Sequence, residues 1–385
     1  MVETAATTLV PLWDRAAEWE RRLRMVAGAR EFLYVSTYYL EHDAHGRAFL
    51  TALDEAQARG VAVNLLIDGF GQTLGGVLMT AAAKQALGAR LDALRAAGAV
   101  VDVYRPPHAL QRRLGGGHHV KIQVSEAGEA IFGSSNITGA SFERWHEFSV
   151  ALRGPVVRTL LESYREIGGR VDDAHLRRLD LTGAPGPDDV RLDYALCNPN
   201  LHQGLPGPLG WRGPNEVTDL MIEMLGAARR RVQLTAFYFK PIPPLLRAVE
   251  AAARRGVRVE VYHSHLDALE ATDLAWIASA ASYDRLLAAG VRILEHRDGE
   301  HSKIVLVDDT RVAFGSYNFE DAAHDRLAEA MLATRDTRVV RMAAAIFERL
   351  EADPAQVGVD RRFRDRLPAQ LRVRLAALGP LKRWM

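Results

Sequence analysis

The chain alternates amphipathic stretches with short runs of apolar residues. Apolar positions at helical spacing predict helices over residues 15–29, 48–59 and 78–97. The apolar runs between them predict strands at Phe32–Ser36, Val61–Ile67 and Val100–Tyr104. Gly60 and Gly98 follow two of these helices, where glycine is a favourable C-terminal cap. Strands that alternate with helices predict a largely parallel sheet covered on both faces.

The second half of the chain repeats this order of elements. Apolar spacing predicts helices over residues 221–228, 245–255 and 282–289, and strands over residues 232–235, 257–262 and 291–295. Tyr39 and Tyr238 lie 199 positions apart, and Gly60 and Gly256 lie 196 positions apart. The pattern predicts an α/β protein with two related domains, residues 1–180 and residues 216–350.

Three further segments differ from this repeat. Residues 181–215 are rich in proline and glycine, which predicts a connection between the domains. Residues 105–117 contain an insertion relative to the second half, which predicts a flexible flap beside a site or a solvated surface loop. Residues 351–385 form a basic, amphipathic C-terminal tail, which suits either an anionic membrane surface or a helix packed on the body.

Composition narrows the class of protein. With 48% apolar and 25% charged residues, the chain resembles soluble globular proteins, and a net charge of +1 argues against nucleic acid as a partner. The single cysteine, Cys197, excludes an internal disulfide framework. The N-terminus has no signal-peptide pattern, and apolar runs stay shorter than the roughly 18 residues that cross a bilayer. We therefore expect a cytoplasmic protein whose lipid contacts are peripheral, at the inner membrane face.

One set of chemically active residues occurs twice, at a constant offset of 182 positions. The pairs are His119 and His301, Lys121 and Lys303, Glu126 and Asp308, Ser134 and Ser316, Asn136 and Asn318, and Glu147 and Glu329. On an extended strand, a histidine and a lysine two positions apart point to the same face. The duplication predicts one site to which both halves contribute.

These residue types suit chemistry on a phosphodiester. The lysines supply positive charge, and the serines and asparagines supply neutral donors for the phosphate oxygens. The motifs contain no carboxylate cluster spaced for Mg²⁺, so we expect a reaction without metal or cofactor. One histidine can attack phosphorus while the other protonates the leaving alcohol. Glu147 and Glu329 are candidates to orient the imidazoles and to oppose the lysines, which lower the histidine pKa values.

The pattern His-x-Lys-x4-Asp-x6-Gly-Ser-x-Asn, present twice, resembles the phospholipase D superfamily. The segments Leu66–Gly71, Phe148–Val156, Ala236–Pro241 and Ala253–Val257 are similar to its bacterial cardiolipin synthase branch. The resemblance covers roughly residues 20–350. It implies two α/β/α sandwich domains around a pseudo-twofold axis, one shared active site and a covalent phosphatidyl-histidine intermediate.

Transferred to matching positions, the resemblance implies that His119 is the nucleophile and His301 the acid and base. Asp308 matches the aspartate that braces each motif, whereas Glu126 stands in its place in the first copy. The longer side chain predicts either a shifted brace or an impaired first motif. The other residues of the first motif are retained, which favours the shifted brace.

The leading hypothesis is a phosphatidyltransferase that moves a phosphatidyl group from a phospholipid to an alcohol. Water as acceptor would make the same site a phospholipase D-type hydrolase. The alternatives are a phosphodiesterase acting on nucleic acid and an inactive scaffold bound to the membrane. A lipid substrate would require contact through the tail, or through an apolar rim at Tyr39 and residues 237–239, unless these aromatic residues belong to the core.

Overall fold

The structure is a computed structural model that describes residues 1–180, 186–202, 213–269 and 272–384. Its strands are β1 (Val2–Ala6), β2 (Thr8–Leu12), β3 (Phe32–Thr37), β4 (Ala62–Asp68), β5 (Val100–Tyr104), β6 (Gly117–His118), β7 (Lys121–Ser125), β8 (Glu129–Gly133), β9 (Ser149–Arg153), β10 (Val190–Cys197), β11 (Arg231–Ala236), β12 (Arg258–Ser264), β13 (Arg292–His296), β14 (Ile304–Val307), β15 (Arg311–Gly315), β16 (Leu327–Thr334) and β17 (Gln356–Val359).

Its α-helices are α1 (Arg15–Gly28), α2 (Ala44–Ala58), α3 (Gly69–Gly75), α4 (Ala81–Ala96), α5 (Ala109–Arg113), α6 (Val156–Glu166), α7 (Asp173–Leu179), α8 (Pro199–His202), α9 (Glu216–Ala227), α10 (Pro243–Arg254), α11 (Leu274–Ala280), α12 (Tyr283–Ala288), α13 (Asp321–Asp325), α14 (Thr337–Ala352), α15 (Phe363–Arg366) and α16 (Ala369–Leu378). A π-helical turn spans Ala140–Arg144, and short 3-10 helices span Leu266–Ala268 and Gly379–Trp384. No helix in these ranges is long and apolar enough to cross a membrane.

The strands form two mixed sheets. The first has the order β2-β9-β8-β7-β3-β4-β5, and the second has the order β1-β10-β16-β15-β14-β11-β12-β13-β17, with β6 paired to β16. Pairing is parallel in β3-β4-β5 and β11-β12-β13, as the alternation of elements predicts. The motif hairpins β7-β8 and β14-β15 are antiparallel, because turns this short can join only antiparallel strands. The expectation of a largely parallel sheet is therefore wrong for the motif regions.

The two sheets pack through one apolar core that contains residues from both, together with α6 and α14. The rings of Phe148 and Phe314, one from each half, meet edge to face at 5.4 Å in this core. The outer face of the first sheet is covered by α1, α2 and α4, and that of the second by α9 to α12. This arrangement confirms the predicted two-domain α/β fold and brings the two motifs together.

The sheets do not divide at the predicted domain boundaries. Strand β10 lies within residues 181–215, which the sequence predicts as a connection, yet it pairs with β16 in the second sheet. Strand β1, from the predicted first domain, pairs with β10 in that same sheet. The rest of the connection includes residues 181–185 and 203–212, which lie outside the described residues.

The inserted segment and the tail both pack on the body. In residues 105–117, the buried Gln111 of α5 donates its Nε2 hydrogen to the carbonyl oxygen of Asn200, at 2.9 Å. In the tail, Phe363, Leu371 and Leu375 lie in the outer core of the second domain. The tail therefore follows the packed-helix alternative rather than presenting its whole apolar side to a membrane.

Candidate active site

The two histidines lie directly before the motif strands, and each is held by the other half of the molecule. The backbone N–H of His119 donates to the carbonyl of Ala328, and that of His301 donates to the carbonyl of His146, both at 2.8 Å. Each of these histidine residues is 4% exposed. These backbone hydrogen bonds across the pseudo-twofold axis place both motifs in one buried site.

Each imidazole is paired with a glutamate of the opposite half. His119 Nδ1 lies 3.1 Å from Glu329 Oε1, and His301 Nδ1 lies 2.8 Å from Glu147 Oε2. We call His119–Glu329 and His301–Glu147 the exchanged pairs. His119 Nδ1 is also 3.0 Å from the carbonyl oxygen of Ser316, which can only accept, so Nδ1 carries the hydrogen and Nε2 has a free lone pair. Nothing in the sequence spacing indicates this exchange.

The serine hydroxyls hold the glutamates. Ser134 Oγ donates to Glu147 Oε2, and Ser316 Oγ donates to Glu329 Oε2. Each Oγ also accepts a backbone N–H, from Phe148 and Ala330 respectively. This geometry favours a role for Ser134 and Ser316 in positioning the glutamates, because their hydrogens go to carboxylates. That these serines bind the substrate phosphate stays a prediction.

The two asparagines differ in their surroundings. Neither amide atom of the buried Asn136 has a hydrogen-bond partner among the described residues. Asn318 instead donates to Glu320 Oε1 and accepts from the Phe237 N–H, both at 3.4 Å. A buried amide without partners costs free energy, so Asn136 has a donor and an acceptor available to a bound molecule.

Both lysines are buried beside the histidines. Lys121 Nζ donates to the carbonyl of His119 at 2.8 Å, and Lys303 Nζ donates to the carbonyl of His301. Burial lowers the pKa of Lys303 to about 8, although Glu147 opposes this shift. Burial and the charge of Lys303 together lower the pKa of Lys121. Two mutually repelling cations in a buried site make that site favourable for an anion.

The pKa values of the histidines are lowered as well. Burial lowers the pKa of His301 to about 4, against the opposing effect of Glu147. Burial, Lys121 and Lys303 lower the pKa of His119 well below its ordinary value. Both imidazoles are therefore neutral near pH 7 when no anion is bound. A phosphodiester between the lysines would offset their charges and favour proton uptake by an imidazole.

The pKa values of the two glutamates are shifted in opposite directions. Burial raises the pKa of Glu147, but His301, Lys303 and the Ser134 hydroxyl outweigh burial and bring the pKa to about 2. Burial raises the pKa of Glu329 well above its ordinary value. The two carboxylates also differ in their donors, because Ser141 donates to Glu147 Oε1 at 2.7 Å, whereas Ala323 stands 182 positions later.

Glu126 and Asp308 lie at the outer ends of the motif hairpins. Glu126 accepts the backbone N–H groups of Arg30 and Phe32, at 2.8 and 3.3 Å. Asp308 accepts three backbone N–H groups, from residues 229, 230 and 231, at 2.7 to 2.8 Å. Glu126 thus reaches the start of β3 as Asp308 reaches the start of β11, but Glu126 accepts one backbone hydrogen bond fewer. Both residues contact backbone rather than the buried site.

Aromatic side chains beside the imidazoles are functional candidates that motif spacing did not select. The ring of Tyr38 meets that of His119 at 4.7 Å, and the ring of Phe237 meets that of His301 at 4.7 Å. Their positions, 199 apart, carry a signal that was available in the sequence. Trp145 stacks on His301, with ring centroids 5.1 Å apart. The indole ring also lies against Gly299, since a Cβ on Gly299 would be 2.3 Å from it. The proposed apolar rim is wrong for Phe237, which belongs to this buried wall.

Asp68 is a further residue that motif spacing missed. The buried carboxylate accepts the N–H of Gly71 at 2.6 Å and that of His118 at 2.8 Å. Ser264, 196 positions later, accepts the N–H of Glu300 at 3.0 Å in the equivalent place. Asp68 and Ser264 therefore hold the backbone immediately before each catalytic histidine candidate.

Comparison with known proteins places this site in a family. The family described as cardiolipin synthase, PLD-like domain, where PLD is phospholipase D, matches residues 23–167 and 221–351. Cardiolipin synthase B of Escherichia coli K12 is 26% identical over 318 residues, which cover 77% of this chain and 69% of the relative. Cardiolipin synthase A of Pseudomonas aeruginosa PAO1 is 26% identical over 381 residues, which cover 94% of this chain and 70% of the relative.

Solved structures support the fold independently. The phosphatidylserine synthase of Haemophilus influenzae Rd KW20 aligns over 100% of this chain and 96% of its own, with a TM-score of 0.74 and 14% identity. The polyphosphate kinase of Porphyromonas gingivalis aligns over 89% of this chain and 49% of its own, with a TM-score of 0.51 and 12% identity. The predicted resemblance is confirmed: the chain is an enzyme of the phospholipase D superfamily and belongs to its cardiolipin synthase, PLD-like domain family.

Proposed function

We propose that this enzyme is a phosphatidyltransferase of the cardiolipin synthase type, working through a phosphohistidine on His119. The observation that carries the proposal is the pair of exchanged His–Glu contacts, at 3.1 and 2.8 Å. Each contact fixes one imidazole through Nδ1 and leaves its Nε2 for chemistry. Two such rings in one buried site are what a double displacement at phosphorus requires.

In the first step, His119 Nε2 attacks the phosphorus atom of the donor lipid. The bond from phosphorus to the headgroup oxygen breaks, and that oxygen takes a proton from His301 Nε2. His119 suits the nucleophile because its Nδ1 hydrogen is held by Glu329 Oε2 and by the Ser316 carbonyl, at 3.3 and 3.0 Å. His301 suits the acid because Glu147 stabilises the imidazolium that must form before the step.

In the second step, His301 Nε2 accepts the proton of an acceptor hydroxyl as its oxygen attacks phosphorus. The phosphorus–nitrogen bond to His119 breaks, and the phosphatidyl group leaves on the acceptor. An alcohol acceptor gives a new phosphodiester, whereas water gives phosphatidic acid. The same two side chains serve both outcomes, so acceptor binding decides between transfer and hydrolysis.

Side chains of the protein supply the positive charge that stabilises the transition state. Lys121 and Lys303 lie buried within the site, and the amide of Asn136 has no other described partner. Together they would bind the phosphate oxygens as charge develops. We infer that these residues supply what a divalent cation supplies in other phosphoryl-transfer enzymes, so that the chemical steps need no metal.

The relatives support a phospholipid as the donor, since the matching proteins are named cardiolipin synthases. We propose that the α3–α4 edge approaches the membrane. Leu74, Val77 and Leu78 on this edge are 47% to 59% exposed. Gly75 packs against Tyr39, the neighbour of the Tyr38 that contacts His119; a Cβ on Gly75 would lie 2.2 Å from the Tyr39 ring.

The reaction can be tested by incubating the purified chain with phosphatidylglycerol or phosphatidylethanolamine, with and without added glycerol. Mass spectrometry of the lipids should show a new diphosphatidyl or phosphatidyl-alcohol product. Stopping the reaction with a denaturant at alkaline pH, where the phosphorus–nitrogen bond is more stable than in acid, should also trap phosphorus on His119, located by peptide sequencing. Phosphatidic acid alone would assign the enzyme as a hydrolase, and no lipid turnover with either donor would contradict the proposal.

The membrane contact can be tested separately by sedimentation with phosphatidylglycerol vesicles. Replacing Leu74, Val77 and Leu78 with serine should weaken vesicle binding about tenfold or more, because about 0.8 kcal/mol is lost per buried methylene. Replacing Val373, an exposed apolar residue of the tail, with serine is the matched control. Loss of vesicle binding only in the Val373 variant would assign the membrane contact to the tail.

A further inference from the structure

A second cluster of ligating side chains lies beside the exchanged pairs. His146, His296 and Asp353 each present one atom within 4.8 Å of the others, and no other such group of three occurs in the described part of the chain. Asp353 Oδ2 lies 3.4 Å from His296 Nε2 and 3.7 Å from His146 Nε2. The residues come from three segments: the stretch before β9, the end of β13 and the turn after α14.

The spacing fits a small divalent ion. Zinc binds histidine nitrogen and carboxylate oxygen at roughly 2.0–2.2 Å in tetrahedral geometry, so its ligand atoms lie about 3.3–3.6 Å apart. The distances of 3.4 and 3.7 Å to Asp353 are close to this range. Two imidazoles and one carboxylate suit zinc better than magnesium or calcium, which prefer oxygen ligands only.

His296 supplies an independent sign of a bound ion. Its side chain is buried, at 2% exposed, and neither ring nitrogen has hydrogen-bond geometry with a described residue. A buried imidazole without hydrogen bonds is costly, and an ion between Nε2 and Asp353 would remove that cost.

A histidine that binds a metal through one ring nitrogen usually donates a hydrogen bond from the other, and His146 has an acceptor for such a bond. Its Nδ1 lies 3.2 Å from Glu300 Oε2, while its Nε2 points to Asp353. Carboxylate–histidine–metal arrangements of this kind fix the tautomer and raise the basicity of the ligand nitrogen. The Oε1 atom of Glu300 is itself held by the N–H of Ser302 at 3.0 Å. The carboxylate is therefore fixed before any ion arrives.

The cluster joins the two halves at one exchanged pair only. His146 precedes Glu147 in the chain, and its carbonyl accepts the N–H of His301 at 2.8 Å. At the equivalent place beside His119, 182 positions later, stands Ala328, which cannot bind a metal.

We propose that His146, His296 and Asp353 form a zinc site that ties the two halves together behind the His301–Glu147 pair. Solvent would complete the coordination, because His146 and Asp353 are 24% and 26% exposed. The ion takes no part in phosphoryl transfer. It stabilises the contact between the segment around His146 and the segment before His301.

The site can be tested on the full chain after chelation and dialysis. Titration with Zn²⁺ should give one tight equivalent, and Co²⁺ should give the visible absorption of a tetrahedral nitrogen–oxygen site. Asp353→Asn and His296→Asn should each weaken Zn²⁺ binding at least about 100-fold. His202→Asn, at an exposed histidine of α8, is the matched control and should bind Zn²⁺ as the wild type does.

Asp353→Asn keeps the proposal testable if the buried His296 variant fails to fold. An asparagine oxygen can still accept the N–H of Ala355, which Asp353 Oδ1 accepts at 2.8 Å. Zn²⁺ should raise the Tm of the wild type and of His202→Asn but not that of Asp353→Asn. No stoichiometric binding, or equal binding by Asp353→Asn, would overturn the site. These readouts do not depend on lipid turnover, so failure of the proposed function would leave them unchanged.

Discussion

The two halves of the site have the same frame but different surroundings. In each, a histidine contacts a glutamate across the axis, a serine hydroxyl holds that glutamate, and a lysine donates to the histidine carbonyl. Around this frame, Ser141 corresponds to Ala323, and His146 corresponds to Ala328. The two copies of the motif have therefore retained the exchanged pairs and differ in the residues around them.

In the proposed mechanism, this difference accounts for how two similar imidazoles perform different tasks. Glu147 receives hydrogens from Ser134, Ser141 and His301, so it remains an anion that stabilises an imidazolium. Burial raises the pKa of Glu329, and the Nδ1 hydrogen of its partner His119 also points to the carbonyl oxygen of Ser316. The first environment suits an acid, and the second suits a neutral nucleophile.

The largest effect should come from removing either imidazole. His119→Ala and His301→Ala should each lower kcat by at least about 10⁴-fold, because nucleophile and acid act as a unit. A substrate whose leaving group needs no proton separates the two tasks. Initial rates with a p-nitrophenyl phosphodiester should recover partly in His301→Ala and not in His119→Ala. Equal recovery in both variants would contradict the assignment.

Removing the carboxylates should have the next largest effect. Glu147→Gln should lower kcat about 10²-fold, since the imidazolium of His301 loses its anion, and Glu329→Gln should lower kcat less. Steady-state rates on a soluble phosphodiester measure both losses. In the double variant, the kcat losses of Glu147→Gln and His301→Asn should be non-additive, because each removes part of the same pair. Additivity in this combination would mean that the pairing across the axis has no catalytic role.

The pH profile should reveal the buried lysines. Lys303, with its pKa of about 8, is positively charged below that pH and neutral above it. The phosphate therefore loses a cation as pH rises, and kcat/KM should fall about tenfold per unit on the alkaline side. Arginine remains charged in this range, so Lys303→Arg should shift or abolish this limb. An unchanged limb in that variant would assign the titration to another group.

The smallest effect should come from exchanging the neighbours themselves. Ser141→Ala removes one hydroxyl donor from Glu147 and should lower kcat about tenfold, the value of one hydrogen bond to a charged group. The reciprocal Ala323→Ser, beside the other exchanged pair, is the matched control and should not lower kcat. Folding of both variants can be checked by thermal unfolding. A larger loss in Ala323→Ser than in Ser141→Ala would reverse the comparison.

The duplicated motif predicted much of this molecule because repetition fixes both chemistry and fold. Constant spacing selected the two histidines and the two glutamates, and the alternating apolar pattern located the parallel strands on either side. Spacing along one chain contains no information on which histidine meets which glutamate. That pairing follows from how the two sheets pack around Phe148 and Phe314.

Other features escaped prediction for physical reasons. Serine hydroxyls can donate to an anion, so the sequence predicted that Ser134 and Ser316 contact the phosphate. In the structure they are buried beside carboxylates, which accept their hydrogens. The prolines and glycines on either side of β10 predicted a linker, but β10 pairs with β16 in the second sheet. The residues of the proposed zinc site are 57 to 207 positions apart, and no short motif joins them.

The exchanged pairs also bear on how such an enzyme could have originated. An isolated half would hold a histidine without its carboxylate and a carboxylate without its histidine. A lone ancestral unit could thus have worked only as a symmetric dimer, with two identical copies completing each other. Gene fusion would then have freed each copy to diverge, and the unequal neighbours of the two imidazoles would be the product of that freedom.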